Sequence, residues 1–263
     1  MRTIQNLSGD RGNINHSPVV IHVPHASTVI PESERASFQC DLNDELFKMT
    51  DHYCDEIFCM GNRSVVFPVS RLVCDPERFR DDRQESMSSV GMGAVYMRTH
   101  NGCILRTVDD VQRERILKRY YDPHHAALTA AVQYALDQTG RCLIIDGHSF
   151  YPKPLPYEMD QSGLRPDFCI GTDPCHTPKA LAGKAIRFLQ GKGYTVEVNA
   201  PFAGALVPPA YYQKDLRVSS MMIEINRGLY MRENGTRSEA FQSICEVVQI
   251  LISVLKSEES EAK

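Results

Sequence analysis

Three short, predominantly apolar runs punctuate this chain, and each carries or leads into an ionisable residue. Pro18 to Val23 is β-branched and leads into Pro24 and His25, so it predicts a buried strand that delivers a histidine at its C-terminal end. Leu143, Ile144 and Ile145 repeat the pattern, with Asp146, Gly147 and His148 following them. Met221 to Ile225 is the third run and holds Glu224 inside it. Weaker strand signals lie at Ser64 to Val69, Leu72 to Cys74, Phe168 to Ile170 and Tyr194 to Val198.

Helical spacing of apolar positions fills the intervals: Leu42 to Met60, Val108 to Leu136 with a kink expected at Pro123 and a stop at Gly140, Thr177 to Gln190, and Ala240 to Leu255. Strands alternating with helices predict an α/β fold with a largely parallel sheet covered on both faces. Met87 to Met97 reads as an irregular loop, over a site or plain surface. Tyr151 to Tyr157 and Pro201 to Pro209 are proline-broken loops, and Lys256 to Lys263 is a frayed charged tail.

Composition narrows the function classes. The 263 residues are 42% hydrophobic, enough for one sizeable core, and one domain is expected. Lysine and arginine total 29 against 33 acidic residues, and no basic block could track a phosphate backbone, so nucleic acid is not an expected partner. No run approaches the roughly 18 apolar residues of a membrane span, and Met1 to Asn15 is polar, so a cytoplasmic enzyme is expected. Nine cysteines lie scattered without a CxxC pair, several in apolar runs (Cys74, Cys142, Cys169), and read as reduced, buried residues.

Neighbouring parallel strands present their C-terminal ends side by side, where ligand sites of open α/β sheets gather. His25 and His148 can therefore converge on one metal, although a lone strand-end histidine is commonly just hydrogen-bonded. A catalytic zinc needs a third protein ligand. Asp51 is the first choice, with His52 and Asp55 as alternatives and Asp146 as an acceptor behind a ligand histidine. The sequence has no HExxH. Glu224 is the sharpest single residue, because a carboxylate within an apolar strand needs a partner, such as Arg227 or a metal-bound water. The second option makes it a general base. Arg71, Arg78 and Arg227 flank strand-like segments and suit a bidentate grip on a carboxylate. His124 is read as surface; His16, His22, His100 and His176 have no supporting pattern.

Together the motifs resemble the N-formylglutamate amidohydrolase (N-formylglutamate deformylase) family, which is distantly similar in fold to zinc carboxypeptidases. The matching pieces are Val23-Pro24-His25, Thr50-Asp51, Ser70-Arg71 with Asp75 and Arg78, Asp122-Pro123 with His125, and Asp146-Gly147-His148-Ser149. Further along come Asp167-Phe168 with Gly171, Asn199-Ala200-Pro201-Phe202 with Gly204, and Ile223-Glu224-Ile225 with Tyr230-Met231. The resemblance implies a single domain over residues 1–263, a three-layer αβα architecture with a mostly parallel mixed sheet, and a divalent metal, zinc, on His25, Asp51 and His148. It further implies a water activated by Glu224, with Arg71 at the reacting carbonyl and Arg71, Arg78, His125 and Arg227 around a small acidic N-acyl amino acid. N-formyl-L-glutamate would give formate and glutamate, a step of histidine degradation. Two departures bear on specificity: Val207-Pro208-Pro209-Ala210-Tyr211-Tyr212 replaces the family's arginine-histidine-tyrosine stretch, and Glu77 stands where the pattern prefers asparagine. The rival readings are a zinc carboxypeptidase or deacylase for another N-acyl or peptide substrate, and a non-catalytic small-ligand-binding protein.

Overall fold

The computed structural model describes residues 17–258 apart from 60 and 62. Six strands, β1 (Val19–Val23), β2 (Arg63–Val66), β3 (Cys142–Phe150), β4 (Phe168–Gly171), β5 (Val196–Val198) and β6 (Val218–Asn226), form one sheet in the order β2-β1-β3-β6-β4-β5. Every neighbouring pair is parallel except β4 with β6, which gives the mostly parallel mixed sheet expected. Helices α1 (Glu32–Arg35), α2 (Leu42–Met49), α3 (Cys54–Phe58), α4 (Asp110–Ile116), α5 (Asp122–Thr139), α6 (Lys179–Gly191) and α7 (Phe241–Glu258) complete an α/β fold.

Side chains alternate across a strand with a period of two, and this alternation sorts the chemistry. Val19, Ile21, Val23, Leu143, Ile145, Met221, Ile223 and Ile225 pack with α3, α6 and α7 on one face. Val20, Ile144 and Val218 pack against Leu128, Val132 and Ala135 of α5 on the other. His22, Asp146, His148 and Glu224 share this second face by parity. Register then aligns them: His22 stands opposite Asp146 across β1 and β3, and His148 opposite Glu224 across β3 and β6. Gly147, between them, faces α3, where an added Cβ would lie 2.7 Å from the Phe58 ring. A side chain there would push the sheet off α3.

Four local expectations are corrected. The helix expected from Leu42 to Met60 breaks at Thr50 to Tyr53 into α2 and α3. There Asp51 N–H donates to the His25 carbonyl at 3.0 Å and Tyr53 turns left-handed, with φ 66°. Leu72 to Cys74 is a tight turn, not a strand, with Val73 N–H donating to the Ser70 carbonyl and the Ser70 hydroxyl accepting from Leu72 N–H. The helix kinked at Pro123 is instead α4 and α5 joined by a π-helical turn over Leu117–Tyr121, and Pro123 lies in the first turn of α5, where its missing N–H costs nothing. His124 is buried, not surface, because α5 lays that side on the sheet.

The remaining elements shift only at their ends, and one loop takes a different path. Gly140 caps α5 in the left-handed conformation. Segment 87–97 is neither lid nor plain surface: Met92, Ala94, Val95 and Tyr96 are buried in a separate apolar cluster with Leu72, Val73, Leu105 and Ile116. Helix α7 continues to Glu258, past the expected end at Leu255. Met1 to Asn15, His16 and the tail beyond 258 lie outside the described residues.

Candidate metal centre and catalytic cavity

Three chain segments meet at the C-terminal ends of β1 and β3. His25 follows β1, Asp51 sits in the break between α2 and α3, and His148 projects from β3; all three are buried. Asp51 Oδ2 lies 3.2 Å from His148 Nδ1 and 3.7 Å from His25 Nδ1, and one ligand atom from each residue falls within 4.8 Å of the others. His52 is not part of this group; its Nε2 turns to the Phe47 carbonyl at 3.3 Å.

The set fits a divalent ion on its own chemistry. His25 Nδ1 is buried with no hydrogen-bond partner, while its Nε2 is 2.8 Å from Asp75 Oδ1. A carboxylate behind a ligand histidine is the usual arrangement for fixing the ring and its tautomer. His148 Nε2 lies 3.1 Å from Asp146 Oδ1, close enough for charge pairing but without the geometry of a hydrogen bond. Burial, helped by Arg71, pushes the His25 pKa down and keeps it neutral. His148 goes the other way: burial opposes its charge, but Asp146 and Asp51 outweigh that and raise it well above the usual range. A metal cation would compete for this position with the proton that the two carboxylates favour.

Asp75, which the residue patterns alone did not single out, is the hub behind this group. It is fully buried and accepts from Arg71 Nη2 at 2.8 Å, from the Tyr96 hydroxyl and from Glu77 N–H. Burial would raise its pKa, yet His25 and Arg71 hold it well below the carboxylate range. Its signal in the sequence was the Arg71/Asp75 spacing, which becomes visible only once Ser70 to Cys74 is recognised as a turn.

A cavity of about 200 Å³ opens onto the three residues, lined also by Arg71, Glu77, Arg78, Tyr157, Phe202 and Glu224. Glu224 is buried, its Oε2 lacks a hydrogen-bond partner, and burial, reinforced by Asp51 against His148 and Arg227, pushes its pKa up to about 8. Arg227, expected as its partner, is engaged elsewhere: it donates to Asp51 Oδ1 (2.9 Å), Ser149 Oγ (3.0 Å) and the Lys48 carbonyl (2.7 Å). Arg71 also donates from Nε to the Tyr96 hydroxyl, and its Nη1 makes no hydrogen bond among the described residues. Arg78 is looser, with a buried, unpartnered Nε 3.8 Å from Asp75 Oδ2. His125 stands outside the cavity lining, half-buried and donating from Nε2 to the Pro76 carbonyl at 2.9 Å.

Against this geometry, a protein-family model described as N-formylglutamate amidohydrolase matches residues 17–231. The chain belongs to the N-formylglutamate amidohydrolase family. It is an amidohydrolase, acting on a C–N amide bond. A crystal structure of N-formylglutamate amidohydrolase from Ralstonia eutropha JMP134 is similar in fold, with TM-score 0.82 and 24% identity over 94% of this chain and 95% of that one. A gene product from Agrobacterium tumefaciens is also similar, with TM-score 0.65 and 19% identity over 92% of each chain. No curated protein sequence matches the chain. No helix among the described residues is long and apolar enough to cross a membrane.

Proposed function

We propose that this amidohydrolase removes the formyl group from N-formyl-L-glutamate, releasing formate and L-glutamate, with a divalent metal, zinc, as its cofactor. The observation that carries the reading is Glu224: a buried carboxyl with an unpartnered oxygen, in the same cavity as the His25, Asp51 and His148 group. His25, Asp51 and His148 would hold the ion, which supplies Lewis acidity at the formyl carbonyl and makes water a better nucleophile near neutral pH.

Glu224 accepts the proton of the attacking water as its oxygen bonds to the formyl carbon, and returns that proton to the amide nitrogen as the C–N bond breaks. Burial makes Glu224 a stronger base once ionised, and a cation bound beside it would favour that ionised form. Arg71 offers a guanidinium donor to the carbonyl oxygen as charge develops there. Arg78, with its unmade hydrogen bonds, holds a substrate carboxylate. Arg227 keeps Asp51 oriented and also lines the cavity, within reach of a bound substrate. Formation of the tetrahedral carbon therefore needs no group beyond those already facing the cavity and the ion.

The test is formate release from N-formyl-L-glutamate by purified protein, with elemental analysis before and after chelation. About one metal per chain at His25, Asp51 and His148 and chelator-sensitive release are expected. Metal-dependent hydrolysis of another N-acyl amino acid, with N-formyl-L-glutamate untouched, would overturn the substrate, and full activity after complete chelation would overturn the metal.

A further inference from the structure

Beside the cavity a second set of chelating side chains meets: His22, Glu77 and Asp146, each offering one ligand atom within 4.8 Å of the others. His22 Nδ1 lies 2.8 Å from Asp146 Oδ1 and 3.3 Å from Glu77 Oε1. Neighbouring donors around an ion held at about 2.0–2.2 Å stand roughly 3 to 3.5 Å apart, so small side-chain shifts would bring these three donors onto one ion.

The group holds little positive charge for its two carboxylates: His148, whose Nε2 lies 3.1 Å from Asp146 Oδ1, also serves Asp51. One imidazole nitrogen faces two carboxylates, and its hydrogen bond goes to Asp146. Glu77 Oε1 is left buried without a hydrogen-bond partner, and so is Asp146 Oδ2. Nearby guanidiniums face other carboxylates: Arg71 and Arg78 face Asp75, and Arg227 pairs with Asp51. His22 and Asp146 are fully buried, where an uncompensated charge is most expensive. His22 is also braced from behind, with its Nε2 2.8 Å from His124 Nε2, which keeps Nδ1 turned to the carboxylates. Glu77, 17% exposed at its side chain, lines the cavity and gives the group its access to solvent.

We propose that His22, Glu77 and Asp146 form a second divalent-cation site, distinct from the His25, Asp51 and His148 group. The two adjoin through Asp146, whose Oδ1 is 3.1 Å from His148 Nε2. One imidazole and two carboxylates suit zinc, manganese or ferrous iron rather than a thiophilic ion. An ion here satisfies the two orphaned carboxylates together and draws Glu77 away from the acidic substrate expected in the cavity. Because Glu77 is the ligand open to the cavity, the ion loads through the substrate entrance. The site does not depend on which N-acyl amino acid is cleaved.

Apoprotein dialysed against excess Zn²⁺ and then freed of loose ion is expected to retain about two equivalents per chain. The same treatment of Glu77→Gln, a near-isosteric change, should leave one. One equivalent in both proteins overturns the second site while leaving the first, and none in either overturns both. Two equivalents in both also overturns the assignment to Glu77. Crystals of the unaltered protein soaked in Zn²⁺ and measured at the zinc edge give a reading independent of the variant's folding. An anomalous peak among His22, Glu77 and Asp146 supports the site, and a lone peak among His25, Asp51 and His148 refutes it.

Discussion

His148 and Glu224 are direct partners in the β3–β6 ladder, so a histidine of the proposed metal centre and the proposed base project from adjacent strands onto one face. Their separation is set by sheet geometry rather than by a loop, which keeps both groups in place through turnover. Replacing Glu224 with Gln preserves shape and removes the proton acceptor. Metal content should be unchanged while kcat falls by about 10²- to 10⁴-fold, the usual worth of a positioned general base. Unchanged kcat in this variant removes Glu224 from the chemistry.

His25→Ala and His148→Ala each delete one of three proposed ligands from a buried site. Both should emerge from purification with the first metal missing, and added Zn²⁺ should not restore activity at concentrations that saturate the unaltered enzyme. Elemental analysis and activity titration read this directly. Stoichiometric retention at that site by either variant counts against the ligand set.

Arg78 is the cavity guanidinium with the weakest protein contacts. Loss of one charged hydrogen bond is worth about 1.5–3 kcal/mol. Arg78→Ala should therefore lower kcat/KM for N-formyl-L-glutamate by roughly 10- to 150-fold, mostly through KM, with little change in melting temperature. A large loss of stability with unaltered KM would make Arg78 a structural residue.

Arg227 behaves oppositely. It is buried and donates four hydrogen bonds, and its removal strands the Asp51 carboxylate. Breaking a buried ion pair costs about 3–5 kcal/mol, so Arg227→Met should lower the melting temperature by roughly 6 °C or more. Differential scanning calorimetry decides this, and an unchanged melting temperature argues against the pairing.

His125 carries a pH dependence of stability. Burial, against the help of the Pro76 carbonyl, pushes its pKa down to about 4, whereas an unfolded histidine titrates near 6.5. Below about 6.5 the unfolded chain takes up a proton that the folded protein refuses, so this residue erodes stability as pH falls from about 6.5 toward 4. His125→Gln keeps an amide donor for Pro76 and should flatten that slope in urea unfolding measured between pH 7 and 5. Identical slopes would place the acid sensitivity elsewhere.

The parts most legible in the sequence were those where local pattern and tertiary role agree. Fully buried parallel strands read as largely apolar runs, so β1, β3 and β6 stood out, and a charged residue inside one of them marked Glu224. The same signal was present at His22, a polar residue in the middle of an otherwise apolar β1, but a single histidine in a short strand carried too little weight by itself. Asp75 and Tyr96 were hidden because the turn at Ser70 and the buried path of segment 87–97 depend on contacts distant in sequence. Helix periodicity ran straight through Asp51, since the apolar residues on either side keep the helical spacing. The bond from Asp51 N–H to the His25 carbonyl, which accompanies the break, is a tertiary contact that spacing cannot show.

The two-residue period of β3 has a consequence for how this enzyme comes to be active. Asp146 and His148 alternate with Ile145 and Gly147, so a slip of one residue would exchange the two sets between the faces. A chain that had collapsed with a normal helix content but a shifted β3 would bury Asp146 against α3 and present isoleucine to the cavity. Recovery of hydrolysis during refolding therefore reports the locking of strand register, a later and more exacting event than the gain of secondary structure.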